Sequence, residues 1–264
     1  MKISATIITF NEAENIRAAC ESVAWTDEIL VVDSESTDAT REIAAACGAR
    51  VIVNAWTGFA AQKQFAVDSA NYNWIFSLDA DERVSPELLD SIKRLRDVDE
   101  SQLADGYCVA RRAFYLGRWI RGGGWYPDYQ LRLFNRKRGS WGDRLIHESV
   151  TMNAGARVET LKGDLLHYSM RDVAHHQRMI EERYAPLGAR QMLREGKRTT
   201  RLQASVAGPL AFLRSFVLKG GWRDGRAGFT IAKFAARHAL LKHSILYDLL
   251  NRESRSFGPR NHGV

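Results

Sequence analysis

Cysteine is scarce: Cys20, Cys47 and Cys108 are the only three in 264 residues. They show no metal-ligand spacing and cannot build a disulfide framework, so a reducing compartment is expected. Proline (5 residues) and glycine (20) are too few for a collagenous or Pro/Gly-rich disordered chain. No apolar run approaches the roughly 20 residues that cross a bilayer. The longest candidate in the tail, 203–213, is short and contains Gly208-Pro209. No secretory signal is legible, because Asn11, Glu12 and Glu14 interrupt the apolar start too early. The expectation is a soluble or peripheral protein. No G-x-G-x-x-G and no Walker A loop follows the first predicted strand, which argues against a dinucleotide dehydrogenase and a P-loop enzyme. His167, His175 and His176 match no zinc spacing, so structural or solvent-facing roles are expected for them.

What is present describes a folded chain. Hydrophobic residues make up 45% and charged residues 26%, enough to bury a core without staples. Charge is unevenly spread. Residues 1–170 carry 20 Lys and Arg against 24 Asp and Glu, whereas residues 171–264 carry 18 against 7. The basic tail suggests an anionic partner, either nucleic acid or an acidic membrane surface, or else a solvated basic face. Its pattern is helical. Phe212, Phe216 and Val217 recur at helical spacing, as do Ile231, Phe234, Ala235 and His238, with Arg214, Lys219, Arg223, Lys233 and Arg237 among them. Such a basic amphipathic helix either docks on a membrane or packs its stripe on the domain that carries the catalytic chemistry.

The first hundred residues alternate strand and helix. Strands are expected at 3–10, 28–33, 49–54 and 74–78, and helices from Asn11, at 39–47, at 62–70 and from Pro86 after a Ser85 cap. This order predicts a mostly parallel, doubly wound α/β sheet. Ligands of such sheets bind beyond the carboxyl ends of the strands. Thr9-Phe10-Asn11-Glu12, Asp33 and Asp79-Ala80-Asp81 follow three of those strands, so they should converge on one edge. Three acids gathered without a cation would repel one another. Carboxylate oxygens suit Mg²⁺ or Mn²⁺, which commonly bind substrate phosphates as well.

The segments Ile8–Asn15, Val31–Thr40 and Trp74–Glu82, in that order and spacing, resemble family 2 glycosyltransferases of the GT-A fold. Asp128–Phe134, Ile146-His147-Glu148 and Lys219–Gly225 resemble the bacterial lipopolysaccharide-core glucosyltransferase subgroup. The resemblance implies a GT-A catalytic domain over 1–170, with a nucleotide-binding half to about 100 and an acceptor half over 101–170. A helical basic extension follows over 171–264.

The same resemblance implies an inverting, metal-dependent transfer of a hexose, glucose in this subgroup, from a UDP-sugar to the lipopolysaccharide inner core. Thr9, Asn11, Glu12, Asp33, Lys63, Asp79, Ala80, Asp81 and Arg132 would then form the donor site. Asp33 would lie near the base, and Lys63 would reach the uridine or a phosphate. Asp81, with Asp79, would hold Mg²⁺ or Mn²⁺, and Arg132, on a strand at the edge of the site, would meet phosphate. The attacking hydroxyl needs a base. Glu148 is the first candidate and Asp128 the second, with His147 orienting the base or facing the diphosphate.

The implied partners are the sugar nucleotide, a lipid-linked oligosaccharide and the anionic inner-membrane surface. No nucleic acid is expected, and the implied place is the cytoplasmic face of the inner membrane. The alternatives are another sugar nucleotide, a polyprenyl-phosphate or other glycan acceptor, and a binding protein for nucleic acid or membrane that acts through its tail. The aromatic and glycine-rich stretch Tyr115–Tyr126 reads either as a mobile cover over substrate or as a packed turn.

Overall fold

The structure, a computed structural model, describes residues 1–142, 149–168 and 172–256. Its contacts divide the chain into two compact units. One comprises residues 1–114 and 126–169, the other residues 115–125 and 170–264.

The first unit opens as β1 (Ile3–Thr9), α1 (Ile16–Ser22), β2 (Glu28–Asp33), α2 (Thr40–Ala46), β3 (Arg50–Val53), α3 (Phe59–Ser69) and β4 (Trp74–Asp79). β1 pairs in parallel with both β2 and β4, and β2 with β3, which gives the order β3-β2-β1-β4. All seven residues of β1 are buried, as the centre of a parallel sheet covered on both faces requires. Alternation along the strands sorts the core into two layers. Ile3, Ala5, Ile7, Phe76 and Leu78 pack with Ile16 and Cys20 of α1. Ile8, Leu30, Val32 and Ile75 pack with Ala66 and Val67 of α3.

β5 (Glu82–Val84), α4 (Pro86–Arg96) and β6 (Gly106–Tyr115) follow. Ser85 caps α4 by accepting from the Leu88 amide at 3.2 Å, with Pro86 in the first turn. After the two-residue β7 (Arg118–Trp119) come β8 (Asp128–Asn135), β9 (Gly139–Trp141), β10 (Val150–Met152) and β11 (Val158–His167). The sheet continues from β4 as β8-β6-β11-β5. β8 runs antiparallel to both β4 and β6 and so lies inside the sheet, not at its edge. β11 pairs antiparallel with β5, which sets His167 opposite Glu82. A bulge in β11 between Thr160 and Asp164 contains Gly163 at φ +94°. A Cβ there would come within 2.2 Å of the Leu88 nitrogen, so only glycine lets the strand approach α4 this closely.

The second unit is mainly helical: α5 (Val173–Arg178), a wide turn at Met179–Tyr184, α6 (Ala185–Arg194), α7 (Arg201–Leu213), a wide turn at Arg214–Leu218, and α8 (Gly225–Ser256). Thr200 and Gln203 form a reciprocal capping box that starts α7. The glycine-rich stretch is fastened to this unit. The buried Asp224 carboxylate accepts from the amides of Arg121 and Gly122 at 3.0 and 2.8 Å, and Ser215 Oγ donates to the Gly123 carbonyl at 3.0 Å. His176 is buried with its Nδ1 3.0 Å from Tyr115 Oη, and its ring meets those of Trp125 and Phe234. Burial pushes its pKa down to about 4, so it is a neutral packing residue. No helix among the described residues is long and apolar enough to cross a membrane.

Candidate active site

The parallel register brings the expected strand ends together. Thr9 is level with Asp33, and Asp79 is level with Ile8, across neighbouring strands. β2 lies on one side of β1 and β4 on the other, so this edge is the point where strand order reverses. Asp33 is fully buried, with Oδ1 accepting from the Ser36 amide at 2.9 Å and Oδ2 from Ser36 Oγ at 2.5 Å. Beside it Thr9 Oγ1 is buried and has no hydrogen-bond partner among the described residues.

Asn11 holds the loops rather than facing outward. It sits at φ +53°, its amide donates to Ser36 Oγ and its Oδ1 accepts from the Thr37 amide, both at 2.8 Å. The Glu12 amide donates to Thr40 Oγ1 at 2.8 Å, and Asp38 takes the amides of Ala13 and Thr40. These bonds latch the loop after β1 to the loop after β2, and they fix where both strand ends point. The Glu12 carboxylate accepts from Asn15 Nδ2 at 2.7 Å.

Alternating charges run away from this edge. Lys63 Nζ, which is buried, lies 2.9 Å from Asp79 Oδ1 and over the Trp141 ring at 4.8 Å. Asp79 Oδ2 meets Arg132 at 3.3 Å, and the same guanidinium nitrogen donates to Glu82 Oε1 at 2.7 Å. Glu82 Oε2 accepts from the Asp79 amide at 3.0 Å. Arg111 lies 3.6 Å from Glu82 and binds Asp128 Oδ2 through two nitrogens at 2.7 and 2.9 Å. Burial alone would raise the Asp79 carboxyl, but Lys63 and Arg132 override it and hold it far below the usual carboxylate range. Glu82 goes the other way, raised mainly by burial. Arg111 and Arg132 are pushed above the ordinary arginine value by the acids, against the effect of burial.

Arg132 is buried on β8, which lies between β4 and β6, and its guanidinium meets two carboxylates, those of Asp79 and Glu82. Asp128 has both oxygens engaged, one by Arg111 and the other by Gln130 Nε2 at 2.7 Å. Ala80 is buried between Asp79 and Asp81. His147 and Glu148 lie outside the described residues.

Asp81 is not part of the charge chain. Its Oδ2 lies 3.4 Å from His167 Nε2, and its carbonyl accepts from the Tyr168 amide at 2.9 Å. Carboxylate oxygen beside imidazole nitrogen, both partly open to solvent, is a donor pair suited to a divalent ion. Among the described residues no three His, Cys, Asp or Glu side chains cluster as a complete metal site. Sequence reasoning missed His167 by assigning it a structural or solvent-facing role. It ends β11 and stands opposite the residue after Asp81, a neighbour that only strand pairing reveals. Glu82 was also missed, although it directly follows Asp81. So was Gln62, a fully buried amide that bonds Ser34 Oγ and Asn54 and ties the ends of β2 and β3 together.

The switch point of this doubly wound sheet thus carries two aspartates, Asp33 and Asp79, and Lys63, with Asp81 beyond it beside His167. Residues 4–163 match the family model described as Glycosyl transferase family 2. The chain belongs to that family and is a glycosyltransferase. It is 31% identical over 258 residues to the lipopolysaccharide core biosynthesis glycosyltransferase LpsC of Rhizobium meliloti, covering 94% of this chain and 92% of that one. An uncharacterized glycosyltransferase of Rickettsia felis is 32% identical over 263 residues, with 93% and 91% covered. Among solved structures, S. aureus TarS 1-349 in complex with UDP-GlcNAc superposes with a TM-score of 0.48 at 16% identity, covering 97% of this chain and 92% of that chain. The chain is thus a family 2 glycosyltransferase related to an enzyme of lipopolysaccharide core biosynthesis.

Proposed function

We propose that this enzyme transfers a hexose, glucose by its subgroup resemblance, from a UDP-sugar to a hydroxyl of the lipid-linked lipopolysaccharide inner core, with inversion. In this reading the acceptor is anchored at the cytoplasmic face of the inner membrane. The observation that carries the proposal is the grouping of Thr9, Asp33, Asp79 and Lys63 at the switch point, with Asp81 against His167 beyond it.

Each residue has a part in this reading. Thr9 Oγ1, buried without a partner among the described residues, and Asp33 beside it bind the polar edge of the uracil base. Glu12 lies on the loop latched over that end. Lys63 brings positive charge to the sugar-nucleotide side, and Asp79 holds it in place. Asp81 and His167 would hold Mg²⁺ or Mn²⁺, which when bound supplies Lewis-acid stabilisation of the diphosphate leaving group. The acceptor oxygen bonds to the anomeric carbon as the bond from that carbon to phosphate breaks. UDP departs with the electron pair, and the acceptor proton passes to Glu148. Asp128 is the poorer base, because Arg111 and Gln130 occupy its oxygens.

The test is a donor panel of UDP-glucose, UDP-galactose, UDP-GlcNAc and GDP-mannose with Mg²⁺, Mn²⁺ or EDTA. The expected outcome is UDP release from UDP-glucose, abolished by EDTA, with metal affinity reduced roughly 10- to 100-fold or more in Asp81→Asn and His167→Ala. Release that survives EDTA would refute the metal role, and indifference to all four donors would refute the substrate.

A further inference from the structure

Helix α7 turns its small residues inward and its large ones outward. Ala204, Gly208 and, beyond the helix end, Ser215 are buried. A Cβ at Gly208 would stand 3.3 Å from the Ala236 carbonyl oxygen and 3.6 Å from Leu240 Cβ, so α7 and α8 approach closely through these small positions. The opposite face carries Leu202, Val206, Leu210 and Leu213, spaced by four, four and three residues. Leu202 is 74% exposed, Leu210 60% and Leu213 51%. Val217, Leu218 and Trp222 extend the exposed apolar surface past the end of the helix. Phe212 and Phe216 are only partly exposed. Phe212 and Phe216 stack with ring centroids 5.5 Å apart, and Phe229 meets both edge-on at 5.7 and 5.8 Å.

The charge along this segment has one sign. Residues 196–223 contain Lys197, Arg198, Arg201, Arg214, Lys219 and Arg223 and no Asp or Glu. The next acid, Asp224, is fully buried and spent on the amides of Arg121 and Gly122. Arg223 lies over the Trp222 ring at 5.3 Å, which pairs a cation with an interfacial aromatic. Aliphatic side chains on a segment whose own charges are all cationic, with tryptophan at the rim, complement a surface that is anionic outside and hydrocarbon beneath; the acids nearby are Glu195, paired with Lys197 at 2.6 Å, and Asp248 of α8, beside Arg201.

We infer that the outward face of α7, with the segment through Trp222, docks on an anionic lipid bilayer by inserting Leu202, Val206, Leu210 and Leu213 between headgroups. This deepens the proposed function by giving a lipid-linked acceptor a matching surface on the enzyme, and it rests on that reading only for its purpose. The contacts involved lie within the second unit.

The experiment is co-sedimentation of the full chain with vesicles of phosphatidylcholine alone and of phosphatidylcholine with phosphatidylglycerol. The protein is expected to bind the mixed vesicles, to bind phosphatidylcholine far less, and to release as salt is raised. The double substitution Leu210→Ser with Leu213→Ser alters exposed positions only and should weaken partitioning at least about tenfold. Arg201→Gln with Arg214→Gln should flatten the salt dependence. Absence of binding to the mixed vesicles, or equal binding by the leucine variant, overturns the inference. So does a dimer in sedimentation equilibrium that the leucine variant dissolves without any vesicle binding, because the stripe then belongs to a second copy. UDP release without acceptor is read on the same samples. Vesicle binding with no donor use sinks the enzymatic reading and leaves the docking surface standing, and the reverse result sinks only the surface.

Discussion

Thr9→Val separates a structural from a binding role at the heart of the site. Threonine and valine are nearly isosteric and both β-branched, so β1 keeps its backbone and packing. Thr9 Oγ1 is buried with no hydrogen-bond partner among the described residues. A buried hydroxyl left unsatisfied costs about 1–3 kcal/mol, and replacing it with a methyl group recovers part of that. The variant is therefore expected to be more stable by about 1 kcal/mol. With a urea slope of about 2 kcal/mol/M, its midpoint should rise by about 0.5 M. The nucleotide should respond oppositely. If Thr9 Oγ1 bonds the base, its loss leaves a base polar group buried and unpaired, and UDP affinity should fall about tenfold, near 1.4 kcal/mol. Urea unfolding and calorimetric titration with UDP measure the two effects. A destabilised variant would mean that the hydroxyl is already satisfied in the free protein. A stabilised variant with unchanged UDP affinity would remove Thr9 from the donor site.

Glu82→Gln keeps the shape but removes the charge that faces Arg132 at 2.7 Å. Asp79 remains a partner for Arg132, so the expected loss is about 2–3 kcal/mol, less than for a wholly orphaned buried cation. Chemical denaturation reads it, and an unchanged midpoint would show that the pair contributes nothing net. His176 gives a pH signature in the second unit. Its folded pKa, about 4, lies below its ordinary 6.5, so the unfolded chain takes up the proton first as pH falls. Its contribution is complete above pH about 6.5 and falls by about 1.4 kcal/mol per unit, to a total near 3 kcal/mol by pH about 4. In His176→Phe that slope should vanish. Equal acid sensitivity of the two proteins would contradict a buried, neutral imidazole.

Much of the N-terminal half was legible because its signals are local. Alternating apolar runs, the Ser85-Pro86 start of α4 and the carboxylates at strand ends depend on residues adjacent in the chain. Parallel pairing then follows from the alternation of strands and helices. Boundaries moved where loops took over. Asn11 was expected to open a helix, but it adopts φ +53° and spends its side chain on the loop after β2, so α1 starts at Ile16.

The sequence by itself determined which chemistry was possible: three aspartates at the carboxyl ends of parallel strands, a family 2 pattern and a basic tail. Only the tertiary structure decided how those groups divide their work. Asp79 and Asp81 are two residues apart, yet one is locked between Lys63 and Arg132 while the other faces His167. Arg132 was expected to meet phosphate, and the structure sets it against the carboxylates of Asp79 and Glu82. In the tail the structure turns Gly208 toward α8 and leaves Leu202, Leu210 and Leu213 exposed, because an interhelical approach that tight admits only a small side chain. These outcomes depend on contacts between residues far apart in sequence, where periodicity and local propensity carry no information.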